Sequence, residues 1–160
     1  MKMLTFVRNF DKTNKNQASM KNLIDIQTLA DLRLEEAEHL CKGGYFDGAF
    51  YLAGYSIELY LKAKIAENLD VFDFYSQYAP KSDLSKTFLI HNLERLVLLS
   101  GLQTKFSAAR DADSILDDAW VTLKEWSEKS RYDVRGLHSA KNVNGFINAL
   151  KIIIRWIKMN

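Results

Sequence analysis

Residues 45–69 read YFDGAFYLAGYSIELYLKAKIAENL, and this stretch decides the fold. Ala49, Leu52, Ala53, Ser56, Ile57, Tyr60 and Leu61 recur at three-and-four spacing, which marks a helix with a buried stripe. Gly48, Ala49, Ala53 and Gly54 keep that helix thin, so a neighbour can approach closely. Glu58 stands one turn before Lys62, the favourable order for an ion pair along a helix. Only Lys62, Lys64 and Glu67 interrupt the later part. The pattern predicts a central helix from Tyr45 to about Asn68.

The flanks share the same period. Before it, Leu29, Leu32, Ala37 and Leu40 predict a helix beginning near Leu23, with Asp31, Glu35, Glu36 and Glu38 facing water. Gly43-Gly44 should end it by supplying left-handed backbone. After it, residues 69–87 read as a connector pinned by Phe72, Phe74, Tyr75 and Tyr78. A short helix is expected at His91–Ser100, with Leu93, Leu96, Val97 and Leu99 inward and Gly101 as its stop. A long helix should span about Thr104 to Ser127, burying Ile115, Leu116, Ala119, Trp120, Leu123 and Trp126. The last, about Ala140 to Lys158, places Phe146, Ala149, Leu150, Ile153 and Ile157 on one side and Lys151, Arg155 and Lys158 on the other. Four long helices plus a short one, joined briefly, predict an all-α, antiparallel up-and-down bundle over residues 23–160. Residues 1–22 read as a basic arm, with a short extended piece at Leu4–Val7 and a mobile stretch at Asp11–Ser19.

Composition narrows the function classes. The chain has 160 residues, 48% of them hydrophobic, enough for one domain with a sizeable core. Seven glycines and one proline are too few for the turns of an all-β sandwich. A single cysteine, Cys41, excludes an internal disulfide framework and a multi-Cys zinc site. No apolar run is long enough for a membrane span, and the N-terminus lacks a secretory h-region, so a soluble cytoplasmic protein is expected. The net charge of +2 conceals an uneven distribution: both ends are basic and the middle is acidic. Basic ends suit a polyanion, or else pair with the acidic helices.

Chemistry gathers in one place, Arg131-Tyr132-Asp133-Val134-Arg135-Gly136-Leu137-His138. Two guanidinium groups and an imidazole fall within eight residues, beside the basic last helix. Arginine presents a planar fork of donors that matches a phosphate, and histidine moves a proton near neutral pH. An Arg–His pair is a minimal kit for cutting a phosphodiester without metal. The plain alternative is a helix-to-helix turn in which Arg131 pairs with an acid and Gly136 turns. Nothing points to a phosphate loop, a cofactor or a metal: Gly43-Gly44 and Gly48 are spaced for a helix break, and His39, His91 and His138 lie far apart.

From Leu29 to Lys64 the chain resembles the front half of a HEPN domain. The features are the turn Gly44-Tyr45-Phe46-Asp47-Gly48-Ala49 and the Glu58…Lys62-Ala63 core. His91-Asn92-Leu93 with Leu96 resembles that family's His-x-Leu-x-x-Leu element, and Ser130-Arg131-Tyr132 the signature of its Arg-Tyr branch. The likeness covers about residues 25–158. It implies a helical bundle that homodimerises, often as part of a toxin–antitoxin or defence system, sometimes beside a nucleotidyltransferase partner. Many members are ribonucleases working without metal through an Arg and a His, here Arg131 and His138, with six residues between them. In such an enzyme the RNA 2′-hydroxyl would attack the adjacent phosphate and leave a 2′,3′-cyclic end. Active members carry a polar residue after the Arg, where this chain has Tyr132. That departure favours a module that binds nucleotide or RNA phosphate, with Tyr132, Arg135, Lys141 and Arg155 as contacts. Glu58 and His91 then read as structural.

Overall fold

The computed structural model describes residues 23–69 and 89–160, and every regular element among them is helical. The helices are α1 (Leu23–Lys42), α2 (Phe46–Leu69), α3 (Leu93–Leu99), α4 (Gln103–Ala112), α5 (Ser114–Leu123) and α6 (Ala140–Met159). A single 3-10 turn, Glu128–Tyr132, lies between α5 and α6. The arm expected over residues 1–22 and nearly all of the connector expected over 69–87 lie outside the described residues.

Helix α2 is the hub, packed against α1, α3, α6 and the 3-10 turn. It is apolar on almost every side: residues Ser56 to Ala63 are all buried in sequence. Such a helix must be enclosed by neighbours. Helix α1 packs on it, and both helices bury small side chains (Ala30 and Ala37 on α1; Ala49, Ala53 and Ser56 on α2) that let two backbones draw close. The Ser56 hydroxyl donates to the Ala30 carbonyl at 2.8 Å, which satisfies a buried hydroxyl at the seam. Gly44, at φ +81°, supplies the left-handed turn between α1 and α2.

Gly54 admits an aromatic wedge. The Trp126 ring lies so close that a Cβ on Gly54 would stand 2.1 Å from it. The indole N–H donates to the Tyr51 carbonyl at 3.1 Å. This one contact anchors the segment after α5, and so fixes where the 3-10 turn and the following loop begin.

Three sequence expectations need correction. The long helix expected over Thr104–Ser127 is broken at Asp113, which leaves helical geometry (φ −133°, ψ 103°). Its carboxylate caps α5 by accepting from the amides of Ile115 and Leu116, so the chain holds two shorter helices there. Helix α5 then ends at Leu123, and Trp126 follows in the connection. Among inward-facing residues, Leu32, Leu99 and Ile115 are exposed. The stripe of α1 is formed by Ile26, Ala30, the expected Ala37 and Cys41, with the expected Leu29 and Leu40 half-buried beside it. The other expected core residues of α5 and α6 are buried.

Two polar groups tie the helices together. Glu58, fully buried, forms an ion pair with Lys62 Nζ at 2.6 Å, and both its oxygens lie 3.0 Å from His91 Nδ1. On the opposite side the Tyr60 hydroxyl donates to Asp31, and the Lys158 ammonium sits 4.9 Å above the Tyr60 ring, linking α1, α2 and α6. Burial pushes the Tyr60 phenol above its ordinary value, and the contact with Tyr60 raises that of Lys158. Among the described residues no helix is long and apolar enough to cross a membrane.

Candidate functional site

The segment from Arg131 to His138 is shaped by a residue 89 positions upstream. Asp47 sits in the first turn of α2 and presents its carboxylate to the loop. Its Oδ2 accepts from the Gly136 amide at 2.6 Å and its Oδ1 from the His138 amide at 3.0 Å. Gly136 takes φ +83°, a left-handed conformation that a side chain would strain, and this turns its amide toward the acid. The two backbone donors hold the Asp47 carboxyl below its ordinary range, with the Gly136 amide as the larger cause. Ser139 then caps α6 through the Asn142 amide.

This clamp fixes His138 against the bundle. The imidazole stacks on Phe50 with ring centroids 3.9 Å apart and an interplanar angle of 19°, and Phe146 backs Phe50 at 4.5 Å. Only 15% of the His138 side chain is exposed. Its Nε2 is buried without a hydrogen-bond partner among the described residues, 3.8 Å from an Asp133 carboxylate oxygen. That separation is too long for a hydrogen bond.

The arginines lie outside. Arg131 is exposed on the 3-10 turn; its Nε donates to the Glu128 carbonyl at 2.9 Å, and its guanidinium lies 6.0 Å from the Tyr51 ring and 5.5 Å from the Tyr132 ring. Beyond that bond, no hydrogen bond to its guanidinium is made by the described residues. Tyr132 is 80% exposed. Arg135, also exposed, lines a shallow cleft of about 340 Å³ with Asp47, Gly136 and His138. Lys141, at the start of α6, lines a second cleft of about 470 Å³ on the far side of His138, with Phe50 and Leu137.

The structure thus brings Arg135 and His138 to one cleft and Lys141 and His138 to another. Arg131 lines neither of these two, and among the described residues no hydrogen bond joins it to His138. Arg155 does not belong here: it lies fourteen residues beyond Lys141 on α6, about 20 Å along the axis. Sequence reading missed Asp47, which looked like an ordinary acid in the first turn of a helix. It also missed Phe50, whose ring carries the imidazole. Neither role has a local signal, because both depend on a contact made across the whole fold.

A family model described as HEPN domain matches residues 27–160. The chain belongs to the HEPN domain family. The match runs from the first turns of α1 to the end of α6 and includes the Asp47 clamp and the Arg131–His138 loop. No curated protein and no solved structure matches the chain. Among the described residues, no group of three or more His, Cys, Asp and Glu side chains is placed to hold a metal ion.

Proposed function

We propose that this HEPN domain is a module for binding RNA or nucleotide phosphate, with Arg131, Arg135 and Lys141 as the phosphate contacts and Tyr132 as a stacking surface. One observation carries the reading. Every cationic side chain around the loop is exposed, while the imidazole between them is stacked on Phe50 with its Nε2 shut away. A general acid or base must reach the proton that it moves, and one of the two nitrogens of this ring, Nε2, is closed to any molecule outside the protein. Exposed guanidinium groups on a turn held by Asp47 need no such access to grip a phosphate.

In this reading the protein works as a homodimer of the Arg-Tyr branch, beside a nucleotidyltransferase partner in a toxin–antitoxin or defence setting. Two copies would double the array of cations along an RNA strand. The exposed apolar side chains Val134 and Leu137, on the same loop, suit contact with a second protein surface.

A second reading, a metal-independent ribonuclease, rests on the same nitrogen. A buried polar atom without a partner is costly, and His138 Nε2 is the one such atom among the described residues. A shift of the loop that opened this atom to RNA would relieve the cost and supply the missing half of an Arg–His pair.

The test is an RNA incubation in EDTA with the wild-type protein, Arg131→Ala and His138→Ala, reading both bound fraction and the chemistry of any new ends. The binding reading expects intact RNA, weaker binding by Arg131→Ala and unchanged binding by His138→Ala. Cleavage to 2′,3′-cyclic ends, lost in both variants, would establish the nuclease instead.

A further inference from the structure

A second histidine is held in the opposite manner. His91 stands just before α3, its side chain 36% exposed. Both oxygens of the fully buried Glu58 lie 3.0 Å from its Nδ1. Lys62 already neutralises that carboxylate at 2.6 Å, so the acid does not need the imidazole as a counter-ion. What the arrangement does is lock the ring: a carboxylate accepts, so Nδ1 carries the hydrogen and Nε2 is left as the open atom. No described residue hydrogen-bonds Nε2.

His91 lines an open cleft of about 490 Å³, between the start of α3 and the segment that leads into the 3-10 turn. Ligand pockets for small molecules begin at roughly 300 Å³. Arg95, Lys124 and Lys129 line the same cleft, against Glu94 and Glu128. Lys124 is paired with Glu94 at 3.5 Å. The lining therefore carries one surplus positive charge with the imidazole neutral and two with it protonated. Trp126, wedged against Gly54, forms a fixed wall.

We propose that this cleft is a phosphomonoester site, with His91 Nε2 as the central polar contact, Lys124, Lys129 and Arg95 as the charge complement, and Glu58 as the positioning residue. The chemistry selects a monoester over a diester. A monoester phosphate can hold a proton on an oxygen or release it, so it can either donate to Nε2 or accept from it. A diester has no second ionisable oxygen and carries only one negative charge, so it draws less on the surplus positive charge of the lining. The cleft shares the 3-10 turn with Arg131, whose Nε donates to the Glu128 carbonyl, but none of the proposed RNA contacts lines it, and its existence does not depend on the loop binding RNA.

The experiment follows the imidazole nitrogens of the full chain by ¹H–¹⁵N NMR during titration with inorganic phosphate, and then with dimethyl phosphate. Phosphate should shift His91 Nε2 saturably, and dimethyl phosphate should leave it in place. His91→Gln, a change at a partly exposed position, should weaken phosphate binding on the order of tenfold, the loss expected for one charge-assisted hydrogen bond. The readout is local to the His91 ring, so phosphate held at the Arg131 loop does not enter it. Glu58→Gln should move the His91 nitrogens toward a tautomer mixture, which a merely structural acid would not do. A nucleoside monophosphate and a 5′-phosphorylated oligonucleotide, each against its dephosphorylated form, separate a free nucleotide from an RNA end as the source. The proposal is overturned if phosphate does not move His91, if dimethyl phosphate moves it equally, or if His91→Gln binds as well as wild type.

Discussion

His91 and His138 are the same side chain in the same bundle, and they are held by opposite halves. His91 is gripped by its Nδ1, from inside, by a buried carboxylate, and its other nitrogen is free toward a cleft. His138 is gripped by its ring face and its backbone amide, and it is the Nε2 that is sealed, without a partner. The comparison teaches that a histidine's place in a motif does not say which of its nitrogens is available. Spacing points to His138, beside two arginines. Geometry closes Nε2 on His138 and leaves Nε2 open toward a cleft on His91.

The largest expected effect comes from the inner end of the His91 arrangement. Glu58→Ala leaves Lys62 buried and unpaired, and should cost about 3–5 kcal/mol of stability. That is enough to lower the midpoint of thermal unfolding by roughly 10 °C, since each kcal/mol is worth about 2–4 °C at this size. Replacing both partners, Glu58→Leu with Lys62→Met, should recover most of the loss, because a buried pair and a packed apolar pair are often close in stability. Chemical denaturation of the three variants measures this, and a double variant as unstable as the single one would show that the pair is not the cause.

Next in size is the wedge between the two regions. Gly54→Ala must displace the Trp126 ring, and overpacking of that kind costs about 1–3 kcal/mol. Tryptophan fluorescence should change together with the denaturation midpoint, and an unchanged spectrum would contradict the contact.

A smaller effect, of opposite sign, is expected at His138. His138→Phe keeps the stack on Phe50 and removes the unpartnered nitrogen, so stability should hold or rise by about 1 kcal/mol. The same change at His91, His91→Phe, strips Glu58 of one partner and should lower stability. If the two substitutions shift the midpoint in the same direction, the contrast between the histidines fails.

The smallest effect is a local one at Asp47. Its carboxyl is held below the usual range because the ionised form accepts the Gly136 and His138 amides. The restraint is therefore complete above the ordinary carboxylate value and is lost only as pH falls through the lowered one. Hydrogen exchange at the Gly136 and His138 amides should remain slow through the mildly acidic range and quicken only at more acid pH. In Asp47→Asn it should be fast at every pH. Protection that fades already above the ordinary carboxylate range would contradict the clamp.

Much of the fold was legible because helices write their burial locally. The run from Ala49 to Leu61 announces a hub, and Gly43-Gly44 announces a turn, from residues that are neighbours in sequence. The break at Asp113 was missed because the apolar period continues through it from Phe106 to Trp120, while the cap depends on one backbone angle. Leu32, Leu99 and Ile115 were misplaced for a related reason: an apolar residue at the edge of a stripe can face either way, and only the neighbouring helix decides. The candidate site was half legible. Its cations were visible as a cluster, but the availability of each side chain depends on Asp47, Phe50 and Glu58, which are brought to it by packing between distant helices.

The central claim, that the cations of the Arg131 loop bind phosphate while His138 moves no proton, is tested most directly with one variant. His138→Phe and wild type are incubated with end-labelled RNA in EDTA, and both bound fraction and product ends are read. The account predicts equal affinity for the two proteins and intact RNA in both. Wild-type cleavage to 2′,3′-cyclic ends that disappears in His138→Phe would contradict it.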